Sequence, residues 1–297
     1  MNGARGFKRM MPAGLRRRLG ALRRRLRAMP VKTRAQKRSL LADPSLEERD
    51  RALLREVDSA VFFNDGMYAG DGAHYFRVGL GAVGLIEEAV KAAGMSDEDV
   101  RRVLDLPCGG GRVLRFLVRR FPRARFVACD LQQDMADFCA RQFGARAAYS
   151  KDDLDALSFG ERFDLVWCGS LATHLDDEGI ASLLGLFRRS LAQGGVAVFT
   201  THGARVVSRM LKDEFDYAIA KEQIPSVVAA YRETGYGFTN YPDVGAYGVA
   251  PDSGYGVSLT SPEWVRAQAA REGLREVYFR AHGWDEHQDV YGFVGQD

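Results

Sequence analysis

Val103 to Leu117 read VLDLPCGGGRVLRFL: a short branched apolar run, an acid, three glycines, then apolar residues at helical spacing. Val103, Leu104 and Leu106 have the character of a strand buried on both faces of a parallel sheet, with Asp105 near its C-terminal end. Open α/β sheets bind ligands at that end. Gly109, Gly110 and Gly111 carry no Cβ, so their backbone reaches positive φ and a ligand can lie directly against it. Val113, Leu114, Leu117 and Val118 supply an apolar helical face. The stretch predicts strand, glycine loop and helix, with room for a cofactor over the loop.

Spacing selects among cofactors. A dinucleotide fingerprint needs glycine three residues after Gly111, where Leu114 stands; a P-loop needs Gly-Lys-Ser/Thr, which Arg112 and Val113 do not supply. The segment instead resembles motif I of the class I S-adenosyl-L-methionine (SAM)-dependent methyltransferases, where an acid precedes Gly-x-Gly-x-Gly. Pro107 stands in place of the first glycine; it keeps the preceding residue extended and so suits a strand end. The resemblance implies a Rossmann-like α/β fold whose seven-stranded sheet has the order 3-2-1-4-5-7-6, with helices on both faces. It also implies a cofactor site that includes Asp105, Pro107, Gly109 and Gly111, with S-adenosyl-L-homocysteine as product.

The following elements keep the family's order. Ala124 to Cys129 reads as a second buried strand ending in Asp130, with Leu131 beyond it. An acid there is the family's ribose ligand, and a carboxylate is suited to accept from a diol. A third strand, Ala145 to Tyr149, leads to Asp153 and Leu154, which resemble the adenine-binding segment; Asp152 is an equal candidate by chemistry, and a helix N-cap is the competing role for either acid. Strand four, Phe163 to Cys168, runs into GSLATHL, where Gly169 and Ser170 are expected at the cofactor; strand five, Val196 to Thr200, follows an Ala192-Gln193-Gly194-Gly195 turn. The Asn/Asp-Pro-Pro-Tyr/Phe motif of base amino-group methylation is absent after strand four, which disfavours an N6-adenine or N4-cytosine enzyme.

The net charge of +3 over 297 residues conceals an asymmetry: residues 1–40 carry 14 Lys/Arg and no acid, leaving −11 for the remainder. Met11, Leu15, Leu19, Leu22, Leu26 and Met29 recur at steps of three and four among arginines, a basic amphipathic pattern ended by Pro30. An anionic membrane surface, a nucleic-acid or acidic partner, and a partly ordered solvated tail are the three readings; the Arg-rich composition also resembles a mitochondrial presequence. No apolar run approaches the roughly 20 residues of a membrane span, and no signal-peptide core is present. The expected location is the cytoplasm, either free or peripheral at the inner face of the membrane through residues 11–29. Cys108, Cys129, Cys139 and Cys168 form no Cys-x-x-Cys pair and are expected as reduced thiols.

Three units are expected: a tail (1–40), an N-terminal helical lid (41–100) and a methyltransferase core (101–297) holding an acceptor-binding insertion (204–260). A capping box at Ser45 and Glu48 predicts a helix over 45–62, and a second runs from Ala73 to about Ala93 before Gly94. Between them, Tyr68, Tyr75 and Arg77 are candidates to hold the cofactor's methionine carboxylate, Arg by charge-assisted bonding. The insertion predicts helices near Val206–Leu211 and Glu214–Tyr231, then becomes rich in Gly and Tyr; Tyr236, Tyr241 and Tyr255 offer flat faces for a sugar ring. Ser261 and Pro262 cap a helix to about Arg271, and two strands, Arg275–Arg280 and Asp289–Val294, close the chain.

In the resembled fold those last strands form a hairpin whose loop lies at the cofactor end, gathering His282, Trp284, Asp285 and His287 with His174 and His202. A hydroxyl acceptor must lose its proton as the methyl arrives, which suits neutral imidazole. His174 or His287 is the expected general base, with Asp285 or Asp289 orienting it, and His202 and Trp284 on the acceptor. The histidine spacing fits no recognised metal-ligand pattern, and no metal is expected. The combination of DLPCGGGR, GSLATHL, the Gly/Tyr insertion and GWDEHQDV looks like bacterial methyltransferases that accompany glycosyltransferases in surface-polysaccharide assembly. It implies O-methylation of a saccharide or glycan intermediate. An RNA-directed methyltransferase using the basic tail and a non-catalytic SAM-binding scaffold are the alternatives; oligomeric state is left open.

Overall fold

A computed structural model describes residues 31–32, 34–68, 72–242 and 253–296. The amphipathic segment 11–29 lies outside the described residues. Among the described residues no helix is long and apolar enough to cross a membrane.

Before the central sheet come a two-residue strand β1 (Val31–Lys32), helices α1 (Arg34–Leu41) and α2 (Glu48–Glu56), β2 (Ala60–Val61) and the long α3 (Gly72–Ala92). The capping box expected at Ser45 does not form. Asp43 accepts from both the Ser45 amide (2.9 Å) and hydroxyl (2.7 Å), so α2 starts at Glu48 and is shorter than 45–62. The segment runs straight into the core because Gly79 of α3 lets it approach the next helix: a Cβ there would meet the Arg112 carbonyl at 2.3 Å.

The sheet strands are β3 (Arg102–Asp105), β4 (Arg125–Asp130), β5 (Arg146–Tyr149), β6 (Phe163–Cys168), β7 (Leu191–His202), β10 (Leu274–Trp284) and β11 (Gln288–Gly295). Their order is β10-β11-β7-β6-β3-β4-β5, which is the expected 3-2-1-4-5-7-6 read from the other edge. Only β11 runs antiparallel to its neighbours. The apolar strands follow from burial on both faces. One face packs under α3, α4 (Leu114–Arg120) and α5 (Gln133–Phe143), the other under α6 (Asp177–Ser190) and α9 (Pro262–Arg271). β7 is longer than expected because the glycine turn is absorbed as an irregularity in its pairing with β6.

The insertion differs most from its expectation. α7 (Ala204–Leu211) forms as predicted, but the second helix, α8, spans Ile224–Thr234. The Gly/Tyr run supplies two unforeseen strands, β8 (Tyr236–Asn240) and β9 (Gly256–Thr260), paired antiparallel. Gly237 and Gly256 are needed by packing: a Cβ would meet the Val227 carbonyl at 2.2 Å and the Thr239 carbonyl at 1.9 Å. The insertion has its own apolar cluster of Val206, Met210, Val227 and Leu259.

Candidate active site

The chain leaves β3 outward through β4 to β5 and then crosses back to β6 on the other side of β3, so the strand order reverses between β3 and β6. Crevices outside the carboxyl ends of strands at such a point bind ligands. The glycine loop after β3 lies there, with Gly109 at φ +49° and Gly111 at φ +72°. A Cβ on Gly110 would meet Asp65 Oδ2 at 2.2 Å, and one on Gly111 the Phe143 ring at 2.4 Å. Asp130 Oδ2 accepts from the Gly109 amide and Oδ1 from the Gln132 amide, both at 2.8 Å. Asp105 is 1 % exposed, and its Oδ2 lacks a hydrogen-bond partner. Burial, then the neighbouring Asp130 charge, pushes its carboxyl well above the usual range.

The loop is held by a residue that sequence reasoning passed over. Arg115, fully buried in α4, donates to the Gly111 and Gly110 carbonyls (2.9 and 3.0 Å), to Ala60 and Asp58 (2.6 and 3.0 Å), and to Tyr75 Oη (3.1 Å). Tyr75 donates in turn to Asp65 Oδ2 at 2.7 Å. One guanidinium therefore ties the loop to the pre-sheet segment. No local pattern marks it, since an arginine on an amphipathic helix usually faces water.

The other expected cofactor residues are distributed unevenly. Gly169 sits against Trp167 and Trp284, where a Cβ would approach both rings to 2.9 Å. Ser170 adopts φ +65°; its amide donates to Thr200 Oγ1 (2.8 Å), and its hydroxyl accepts from Gln288 Nε2 (2.9 Å). Tyr68 packs edge-on to Tyr75 at 5.7 Å. Arg77 does not join them: it is exposed and pairs with Asp43 at 3.0 Å. Asp153 is also exposed, and its Oδ1 accepts from the Asp155 and Ala156 amides, a local cap, while Leu154 is buried. Leu131 is partly buried after Asp130, and Pro107 begins the loop. A cation close to this loop is Arg112, whose guanidinium stands 5.1 Å from the Trp284 ring, near the charges of Asp65, Asp285 and Asp105.

Of the histidines expected at the acceptor, His174, His202 and His287 assemble, but His282 does not. His282 instead meets Asp289 Oδ1 through its amide (2.8 Å) and Nδ1 (3.3 Å), which removes Asp289 as a partner for the other rings. The remaining histidine, His74, reaches the cluster's edge, with Nε2 3.5 Å from Asp285 Oδ2. His287 Nδ1 lies 2.6 Å from the Asp285 carbonyl and 4.0 Å from its carboxylate. A carbonyl only accepts, so Nδ1 carries the proton and Nε2 keeps its lone pair. Burial lowers this imidazole's pKa, with the Arg209 and Arg112 charges adding to it and Asp285 opposing.

His174 Nδ1 lies 2.9 Å from Tyr241 Oη and 3.3 Å from the Gly256 carbonyl, its ring stacked on Tyr255 at 5.3 Å. Burial brings its pKa to about 4. His202 is buried 6.1 Å from His287 and 5.6 Å from Tyr217, ring to ring. Two expected acceptor contacts are packing residues: Trp284 is buried edge-on against Trp167 with Nε1 donating to the Val78 carbonyl (3.0 Å), and Tyr236 stacks on Trp264 at 4.7 Å.

Residues 103–195 match the family model described as a methyltransferase domain. This segment, about a third of the chain, is similar to a methyltransferase domain. Over 123 residues the chain is 25% identical to the malonyl-[acyl-carrier protein] O-methyltransferase of Acetivibrio thermocellus, covering 41% of this chain and 42% of that protein. Over 99 residues it is 34% identical to the trans-aconitate 2-methyltransferase of Azoarcus sp., covering 33% and 38% respectively. The chain thus spans less than half the length of these curated relatives. A SAM-dependent methyltransferase structure from Clostridium acetobutylicum shares the fold, with a TM-score of 0.50 at 15% identity over 75% of this chain and 92% of that one. The crevice suits the domain's cofactor: it offers a loop free of Cβ atoms, the acid Asp130 at a strand end, and an orphaned carboxylate oxygen on Asp105.

Proposed function

We propose that the protein O-methylates a saccharide or glycan intermediate, with His287 as general base. The observation that carries this reading is the His287–Asp285 arrangement at the carboxyl ends of the strands, linked through His202 to His174, whose ring the faces of Tyr241 and Tyr255 flank. Bound SAM supplies a methyl group already activated for displacement, so the protein's work is alignment, water exclusion and proton removal. Asp130 would hold the ribose diol, the glycine loop the adjoining backbone, and Arg112, in place of Arg77, the methionine carboxylate. His287 would take the acceptor proton at Nε2 while Asp285 fixes Nδ1–H through its carbonyl. Trp284 would support this loop from beneath rather than touch the acceptor. Membrane contact through residues 11–29 would bring the enzyme to a lipid-linked glycan.

The test is transfer of isotope-labelled methyl from SAM to a panel of saccharides, amines and carboxylates. Label in an acid-stable sugar ether is expected, and His287→Ala should lower kcat by about 10²–10⁴-fold while calorimetry shows SAM binding retained. Transfer only to amines or carboxylates would overturn the reading.

A further inference from the structure

Beyond the proposed base and the aromatic faces, a second group of polar side chains has no task in the scheme above. His202 is 5 % exposed and its Nδ1 has no hydrogen-bond partner among the described residues; Arg209 and Tyr217 are half-buried, with Nε and Oη shielded from solvent and without a well-formed hydrogen bond, and the guanidinium lies close enough to the phenol to interact with it. They come from three elements, β7, α7 and the chain after α7, and meet through a run of ring contacts. Arg209 lies 5.7 Å over Phe215, Phe215 packs edge-on to Tyr217 at 5.0 Å, Tyr217 on His202 at 5.6 Å, and His202 lies 6.1 Å from His287. Arg209 forms no ion pair with a carboxylate of the described residues. The nearby acid Glu214 is shared by Arg205 and Lys212, each at 3.8 Å.

Such a group is costly to leave unsatisfied. A buried N–H and a buried hydroxyl want acceptors, and a sugar hydroxyl could serve them, but it would leave the guanidinium charge uncompensated. An oxyanion meets both needs, and the planar fork of arginine matches a carboxylate or phosphate. We propose that Arg209, Tyr217 and His202 form a subsite for an oxyanion of the acceptor, so that the methylated saccharide is an acidic one. The proposal rests on the saccharide reading above and narrows it. With His202 one ring away from His287, the anionic group sits within a sugar ring's reach of the hydroxyl that is methylated.

The experiment compares glucose with glucuronate and with glucose 6-phosphate, first by calorimetric binding to the S-adenosyl-L-homocysteine complex of the full chain, then by methyl transfer. At least one charged sugar should bind about tenfold or more tightly than glucose. Which one does so separates a uronate from a sugar phosphate. Arg209→Gln should bring the charged-to-neutral ratio close to one, and Tyr217→Phe, which removes a single hydroxyl, should lower it by about threefold or more; thermal unfolding of each variant checks the fold. Equal binding of the three sugars, or a preference that survives Arg209→Gln in a folded protein, would overturn the subsite. Because binding is read without turnover, that outcome is distinct from failure of saccharide methylation: a bound acidic sugar that accepts no methyl would sink the O-methyltransferase reading and leave the anion subsite standing.

Discussion

The crevice at the glycine loop and the histidine cluster proposed to hold the acceptor are neighbours built in opposite ways. In the crevice, charged side chains are taken up largely by backbone: Asp130 by two amides and Arg115 by four carbonyls. The acceptor cluster consists instead of imidazoles, phenols and arginines from distant segments, several with unpartnered atoms. Backbone-satisfied groups make a rigid cradle that serves one ligand. Side chains left unsatisfied in the protein have hydrogen-bonding capacity to spare for a ligand.

Three perturbations would break or sharpen this contrast. The largest effect is expected for Arg115→Met, which leaves four carbonyls without their donor and should destabilise the protein by about 3–5 kcal/mol. Chemical denaturation would read it, and a loss under 1 kcal/mol would mean that the loop is not held by this residue. Next is acid. The folded pKa of His174, about 4, lies below the unfolded value of about 6.5. Its contribution to stability is therefore present above pH 6.5 and lost as pH falls toward 4, amounting to about 3 kcal/mol when the fall is complete. Asp105, Asp130 and Asp289, whose pKa values are raised, act in the other sense: they favour the fold as they protonate. Wild type and His174→Gln should accordingly differ in how far their unfolding midpoints drop between pH 7 and 4.5, with the wild type dropping further. Parallel drops would show that His174 is not held neutral. The smallest effect is on cofactor affinity: Asp130→Ala should weaken SAM binding by about 1–3 kcal/mol in calorimetry. Unchanged affinity would remove the ribose assignment.

The cofactor half was legible because its signals are local. A buried parallel strand needs a continuous apolar run, a tight strand-to-helix turn needs glycine, and the acid ending β4 is separated from the loop by one short helix and one strand. The same locality explains the misreadings. Asp153 carries the right chemistry, yet two amides just ahead of it in the chain claim its carboxylate. Arg77 has the right charge, but its helical phase points it at Asp43 rather than at the loop. Arg115 was missed because its Asp58, Ala60 and Tyr75 partners lie 40 or more residues away, and Asp65 because it closes on Gly110 across the fold.

By itself, then, the sequence determined the order of elements, the seven-stranded topology and the glycine loop with Asp105 and Asp130. The order of elements and the loop depend on backbone conformation and apolar periodicity, which neighbours in the chain dictate, while the strand order followed from the resemblance that those motifs carry. Tertiary structure alone decided which histidines meet, that Asp289 belongs to His282 rather than to the proposed base, and that Trp284 is packing rather than surface. It also turned the Gly/Tyr run into a hairpin whose glycines are demanded by α8 and by the partner strand. Those outcomes depend on groups brought together from as near as seven residues, as His282 and Asp289 are, to as far as 206, as Val78 and Trp284 are, and on which of several chemically equal partners the packed sheet leaves within reach.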